Sequence, residues 1–182
     1  MNRVSWLSAF VVMVFASVVS VSGQDDKSIT EVRGKVAAIN KNAARYTRTK
    51  RDVFDLSTEG AEATYFRKGK DLKKITAKIY GETFNATVEL YFENGGPIFY
   101  YLKLRRYDTQ IGLAKPVKVV RTEEERYYFA GSEMIRVMVG KEVIKKTDER
   151  YGELRDDMLK LAEGLRNADK PADPSAADVP VK

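Results

Sequence analysis

The stretch "YFENGGPIFYYLKLRRY", residues 91–107, combines six aromatic rings with an Asn-Gly pair. Asn-Gly between apolar runs is a strong signal for a tight β-hairpin turn. Before it, "TFNATVELYF" alternates apolar and polar side chains, as a half-buried strand does. After it, Phe99-Tyr100-Tyr101 is apolar on both faces, which indicates a central strand covered on both sides. The stretch therefore predicts a hairpin in the middle of an antiparallel sheet.

The same two-residue period continues on either side of this hairpin. "KKITAKIY", "KVVRTEEERYYF" and "MIRVMVG" also read as strands, and glycines separate the runs. We expect Glu123–Glu125 to form a solvated loop that precedes a strand. Together these runs predict an antiparallel β-meander of about seven strands.

Apolar residues with helical spacing flank the meander. Ser28 and Glu31 have the spacing of a capping box, and the pattern predicts a helix from about Ile29 to about Thr47. A second helix is predicted where apolar side chains recur between Tyr151 and Leu165, with Thr147 or Asp148 as the cap. The predicted fold class is α+β, one domain over residues 24–168, with both helices burying apolar seams on the sheet.

The two ends of the chain have a different composition. Residues 1–23 contain Arg3, a long uncharged run and small residues at the end, which is typical of a signal peptide cleaved after Gly23. An uncleaved membrane anchor is the alternative. Residues 169–182 are rich in Pro, Ala and Asp, and this composition predicts a disordered tail. The leader predicts a periplasmic or secreted protein with no transmembrane segment after cleavage.

An aromatic pair, a Gly-containing turn and an apolar strand recur three times, starting at Tyr65, Tyr91 and Tyr127. In this feature the chain resembles uncharacterised secreted bacterial proteins built from tandem Tyr-(Tyr/Phe)-x-x-Gly hairpins, which are distantly similar to MORN-type repeats. The copies lack the Gly-Glu-Trp core of MORN units. The resemblance covers about Ala63 to Val139; it implies a β-meander and no activity.

The composition restricts the chemistry. The chain has no Cys and no His, which removes thiol nucleophiles, imidazole bases and Cys/His zinc sites, and we expect no metal site and no cofactor. Lys and Arg number 32 against 26 acids, and Arg3 is the one charge in the leader, so residues 24–182 carry 31 − 26 = +5. Residues 147–182 hold 6 cations and 9 acids, so residues 24–146 carry +8. A basic body with an acidic end favours anionic partners, or the acidic end docks on the body.

The polar face of the predicted meander is the candidate ligand-binding site. If the alternation holds, it presents Tyr80, Tyr91, Tyr101, Lys103 and Arg105, together with Lys78. Tyr rings among cations can stack on sugars while the cations pair with carboxylate or phosphate groups. The alternative is an ordinary solvated sheet face or one covered by a helix. "RKGKDLKK", residues 67–74, is either a basic contact for phosphate groups or a solvated hairpin tip.

The sequence therefore predicts an exported, non-enzymatic binding protein of the bacterial envelope, whose partner is an anionic glycan, a lipid headgroup or a protein. No nucleic-acid recognition motif is present. An inhibitor or accessory subunit acting through hairpin tips is one alternative. A glycan hydrolase is another, and its acid–base groups would come from Glu89, Glu93 and Glu123–Glu125.

Overall fold

A computed structural model describes residues 21–54, 56–113 and 116–169, with side chains from Asp26 onward. Two helices flank one eight-stranded sheet in these ranges. The helices are α1 (Val21–Asn42), followed by a 3₁₀ turn (Ala43–Arg45), and α2 (Glu149–Asn167). The strands are β1 (Thr47–Val53), β2 (Ala61–Lys68), β3 (Asp71–Gly81), β4 (Phe84–Glu93), β5 (Gly96–Tyr107), β6 (Val119–Ala130), β7 (Glu133–Val139) and β8 (Glu142–Ile144).

The sheet is an antiparallel meander in which the strands lie in chain order from β1 to β8. The connections β1–β2, β3–β4, β5–β6 and β7–β8 consequently lie at one end of the sheet, which we call the loop end. The hairpin turns β2–β3, β4–β5 and β6–β7 lie at the other, the turn end. The α+β meander is thus confirmed, with eight strands rather than about seven.

Helix α2 covers one face of the sheet. Its buried side chains Tyr151, Met158, Ala162 and Leu165 join the main core cluster, to which residues from all eight strands contribute. The Tyr65 hydroxyl on β2 donates a hydrogen bond to the Leu165 carbonyl oxygen at 2.7 Å, a polar tie inside this core. Asp148 caps α2 by accepting from the Arg150 backbone N–H at 3.0 Å, which confirms one of the two predicted caps.

Helix α1 lies on the opposite face, near the turn end. Ile29 and Val32 pack with Tyr128, and Ile39 packs with Tyr91 and Ile98. The aromatic rings of the central hairpins form one row under each helix. Tyr91, Phe99 and Tyr128 are neighbours under α1, with centroids 5.9 and 4.9 Å apart. Phe92, Tyr100 and Phe129 are neighbours under α2, with centroids 5.9 and 4.8 Å apart.

The two rows arise because consecutive strand residues point to opposite faces of the sheet, and a helix covers each face here. All three hairpins also share an irregularity: the strand register shifts at Phe66/Arg67, at Tyr91/Phe92 and at Tyr128/Phe129, in each case just before the turn. A bulge of this kind increases the local twist of the sheet. At the central turn, Asn94 and Gly95 have φ of 51° and 79°, as a type I′ turn requires.

The prediction for α1 is wrong at both ends. Ser28 lies inside the helix rather than at its cap, because the preceding residues Val21–Lys27 are already helical. The spacing of a capping box also occurs within helices, and Thr30 donates to the Asp26 carbonyl oxygen at 2.9 Å. The helix ends at Asn42, because Thr47 already pairs with Arg67 in the sheet.

Two further corrections concern charged segments. The sequence did not predict β1, "TRTKRDV", as a strand. Only one of its seven residues, Val53, is buried, so the strand has no row of apolar side chains to mark it. Cations on such an edge strand discourage pairing with another chain. Glu123–Glu125 lie within β6 rather than in a loop, because cations of the same and the adjacent strand neutralise two of them.

The predicted leader, residues 1–23, lies outside the described side chains, and residues 170–182 of the predicted tail lie outside the described chain. Within the described ranges, neither helix is long and apolar enough to cross a bilayer. The leader, its cleavage and the tail stay predictions.

Candidate functional site

The sheet face that carries α1 is uncovered toward the loop end. We call this uncovered part the open sheet face. The strand register places three rows of polar residues across it. The rows are Lys50–Thr64–Thr76–Glu89–Tyr101–Arg126, then Asp52–Glu62–Lys78–Thr87–Lys103–Glu124, then Tyr80–Asn85–Arg105–Thr122.

Four of the five predicted site residues lie together on this face. Tyr80 and Arg105 are exposed, whereas Tyr101 and Lys103 are half-buried. Tyr91 points to the same side of the sheet but is only 1% exposed, because α1 covers it. A surface ligand therefore has no access to the Tyr91 ring.

Tyr91 instead belongs to a buried polar network between α1 and the sheet. The Lys74 ammonium lies 3.0 Å from Glu89 Oε2, 2.9 Å from the Tyr91 hydroxyl and 3.0 Å from Asn40 Oδ1. Lys74 is the one buried charged residue among the described side chains. Burial, and then the hydrogen bond to Glu89, raises the pKa of Tyr91, which keeps the phenol protonated. The network fixes the C-terminal half of α1 on the sheet.

A second network surrounds Tyr101. Lys103 Nζ lies 3.1 Å from Glu124 Oε1, and Arg126 Nη2 lies 2.5 Å from Glu124 Oε2. The Arg126 guanidinium also lies over the Tyr101 ring, 5.6 Å from its centroid. The hydrogen bond from Lys103 is the main cause that lowers the pKa of Glu124. Arg126 therefore covers one face of the Tyr101 ring, and Glu124 neutralises the charge of Lys103.

Tyr80, Lys78 and Arg105 have a different environment. Tyr80 is 37% exposed, and Lys78 and Arg105 are exposed as well. Among the described residues, neither cation forms an ion pair or a side-chain hydrogen bond. Tyr80 pairs with Asn85, which pairs with Arg105, so the ring and the guanidinium lie two strands apart, or about 10 Å.

The carboxylates considered for hydrolysis lie on both faces of the sheet. Glu124 lies on the open sheet face, whereas Glu123 and Glu125 face the α2 side because consecutive strand residues alternate. Glu89 shares the open sheet face with Glu124 and pairs with Lys74 at 3.0 Å, and Glu93 pairs with Lys35 of α1 at 2.7 Å. Burial is the first cause that raises the pKa of Glu125, whereas the pKa of Glu124 is lowered, and these two groups lie on opposite faces. That the protein is not an enzyme stays a prediction.

In the part of the chain that the structure describes, no group of three or more Asp or Glu side chains is arranged to hold a metal ion. Comparison with known proteins finds no matching family model, no matching curated protein and no matching solved structure. The inference of function consequently depends on the geometry of this chain.

Nothing in the sequence marks Lys74 and Asn40 as partners of Tyr91. Strand alternation places Lys74 on the polar side, but only the position of α1 shows that its charge is buried. Lys74 follows Lys73 and precedes Ile75, and neither neighbour reveals that Lys74 is buried. The pairing of Glu124 with Lys103 could have been found from the strand register, if the length of the β5–β6 connection had been known.

Proposed function

We propose that this protein is an exported, non-enzymatic binding protein of the bacterial envelope, and that its open sheet face binds an anionic glycan. The observation that carries the proposal is the exposed group of Tyr80, Lys78 and Arg105 on one sheet face, in which Lys78 lies two residues from Tyr80 on β3 and Arg105 lies two strands away on β5. A sugar ring stacks on an aromatic face, and guanidinium pairs with carboxylate or phosphate.

The surroundings of this group support the same class of ligand. Thr87 lies between Lys78 and Lys103 in the register, and the Asn85 amide donates a hydrogen bond to the Tyr107 hydroxyl nearby. Hydroxyl and amide groups at the edge of a stacking platform are suited to sugar hydroxyls. A shallow cleft of about 410 Å³ continues the polar surface towards β1, between Lys50 and Thr87.

The test is the melting temperature of the protein with polygalacturonate as an anionic glycan and dextran as a neutral one, at low and high salt. A ligand at a hundredfold over its Kd stabilises the folded state by about 2.7 kcal/mol, which a melting curve detects. We expect a shift with polygalacturonate that salt reduces and that the Tyr80→Ala and Arg105→Gln variants lose.

Lys145→Gln is the matched control, because Lys145 is an exposed cation outside the open sheet face. It should keep the full shift. A shift that Lys145→Gln reduces as much as Arg105→Gln would indicate attraction by net charge alone. Equal shifts with dextran and polygalacturonate, or no shift with either, would contradict an anionic glycan site.

A further inference from the structure

The loop end of the sheet exposes large apolar side chains that neither helix covers. Phe54 in the β1–β2 connection is 77% exposed, and in the β5–β6 connection Ile111 and Leu113 are 55% and 75% exposed. Val119 and Val120, at the start of β6, are 51% and 63% exposed. We call these five residues the apolar rim. A cluster of exposed apolar side chains at one end of a protein marks an interaction surface.

Most of the rim lies on a hairpin that projects from the sheet. β5 and β6 pair as far as Tyr107 and Val119, but β7 pairs with β6 only from Glu125 onward. The first residues of β6 therefore have no strand on their β7 side. Backbone hydrogen bonds hold the projecting part in place, from Tyr107 N–H to the Thr83 carbonyl and from Ile111 N–H to the Glu82 carbonyl, both 2.8 Å long.

The β1–β2 connection is attached to the same structure. Tyr80 N–H donates to the Gly60 carbonyl at 3.0 Å, and the Ser57 hydroxyl donates to the Tyr80 carbonyl at 2.6 Å. Phe54 and the projecting hairpin are therefore linked through the β3–β4 turn. The exposed apolar side chains of the two connections therefore stand on a hydrogen-bonded base.

Cations predominate on the described part of the projecting hairpin. Among its described residues from 105 to 122, four are cations, Arg105, Arg106, Lys118 and Arg121, and Asp108 is the one acid. The Lys118 and Arg121 side chains are exposed, and Arg121 shares Glu123 with Arg106 at 2.6 and 3.8 Å. Apolar side chains at the tip with cations behind them match the boundary between acyl chains and anionic headgroups.

We propose that the apolar rim docks this protein on the surface of an anionic lipid bilayer. Phe54, Ile111 and Leu113 enter the headgroup region, and Lys118 contacts the lipid phosphates. A second copy of the chain is a less suitable occupant. Pairing of two free β6 edges would bring Lys118 and Arg121 of one chain close to the same cations of the other, and like charges across paired strands are destabilising. This proposal concerns a surface other than the glycan site and does not depend on it.

The test is co-flotation of the full chain with vesicles of phosphatidylcholine alone and of phosphatidylcholine mixed with phosphatidylglycerol. We expect partitioning onto the mixed vesicles, reduced by salt. Leu113→Ser should weaken it about tenfold, since the substitution removes a large apolar side chain. Lys118→Gln should weaken it about fivefold, the usual contribution of one cation near an anionic surface.

Leu159→Ser and Lys41→Gln are the matched controls, because both residues are exposed outside the loop end. Binding through the leader would occur on both kinds of vesicle, so the variants are compared by the part of the partitioning that requires phosphatidylglycerol. Partitioning that the rim variants leave unchanged would overturn the proposal, and so would no partitioning onto either vesicle. A dimer in light scattering that Leu113→Ser dissociates, without vesicle binding, would overturn it and assign the rim to a second copy.

Discussion

The stability of this fold should decrease steeply above pH 10, because its largest buried polar side chains are tyrosines. Tyr65, Tyr91, Tyr100 and Tyr127 are all at most 3% exposed. Burial is the first cause that raises the pKa of each phenol, and it raises that of Tyr100 to about 12. The folded state therefore keeps these four protons at a pH where the unfolded chain releases them.

The free energy of unfolding then decreases with pH, since the unfolded state binds fewer protons than the folded state. The contribution is complete below the unfolded pKa of about 10 and is lost as the pH rises toward the folded pKa. At pH 11 each tyrosine whose pKa is strongly raised by folding lowers the free energy of unfolding by about 1.4 kcal/mol. Tyr91, Tyr100 and Tyr127 together cost about 4 kcal/mol, against a typical total stability of about 5–15 kcal/mol.

The assay is urea unfolding at a series of pH values from neutral to about pH 11, with tyrosinate absorbance recorded at each. Because the chain has no His, we expect a nearly constant free energy of unfolding between about pH 6 and pH 9. Above pH 10 the absorbance of the buried phenolates should appear together with unfolding. Tyr100→Phe should reduce the loss at pH 11 by about 1.4 kcal/mol.

Tyr80→Phe is the control, because it removes a hydroxyl from an exposed ring and should leave the pH profile unchanged. The reasoning would be refuted if the free energy of unfolding were the same at pH 9 and pH 11. It would also be refuted if all ten tyrosines of the chain ionised while the protein remained folded.

Three substitutions test the contacts that hold the fold, each by urea unfolding at neutral pH. Lys74→Met should cost about 2–3 kcal/mol, because it leaves Glu89, which is 33% exposed, without its cation; a loss below about 1 kcal/mol would show that the buried network does not stabilise the fold. Gly95→Ala, at φ of 79°, should cost about 1–2 kcal/mol through backbone strain, whereas Gly96→Ala as its control should cost less. Tyr65→Phe should cost about 1–2 kcal/mol by leaving the buried Leu165 carbonyl without its donor, and an unchanged stability would contradict this role.

The sequence by itself determined the meander and its helices. Period-two alternation, the glycine-marked turns and the Asn94-Gly95 pair act between near neighbours, so they can be recognised without coordinates. Of the stretch Phe99-Tyr100-Tyr101, predicted to be covered on both sides, Phe99 lies under α1 and Tyr100 under α2 as expected, whereas Tyr101 lies on the open sheet face. The aromatic residues of the opening stretch are consequently part of the architecture.

The tertiary structure decided which parts of the polar face are accessible. Tyr80 and Tyr91 point to the same face of the sheet, yet one is exposed and the other is covered by α1. The difference depends on where a helix from a distant part of the chain packs, and no local pattern encodes that position. β1 was missed for a related reason, since a charged edge strand is stabilised by backbone pairing with β2 rather than by its own side chains.

The free cations and the apolar rim were likewise decided by long-range geometry. Lys103 and Arg105 are equivalent in the sequence pattern, but Glu124 of β6 neutralises Lys103, whereas Arg105 lies opposite Thr122. Ile111 and Leu113 become exposed because β5 and β6 extend beyond β7. Local alternation determines which face of a strand a side chain occupies, and only the packing of distant elements determines whether that face meets a helix, a counter-charge or solvent.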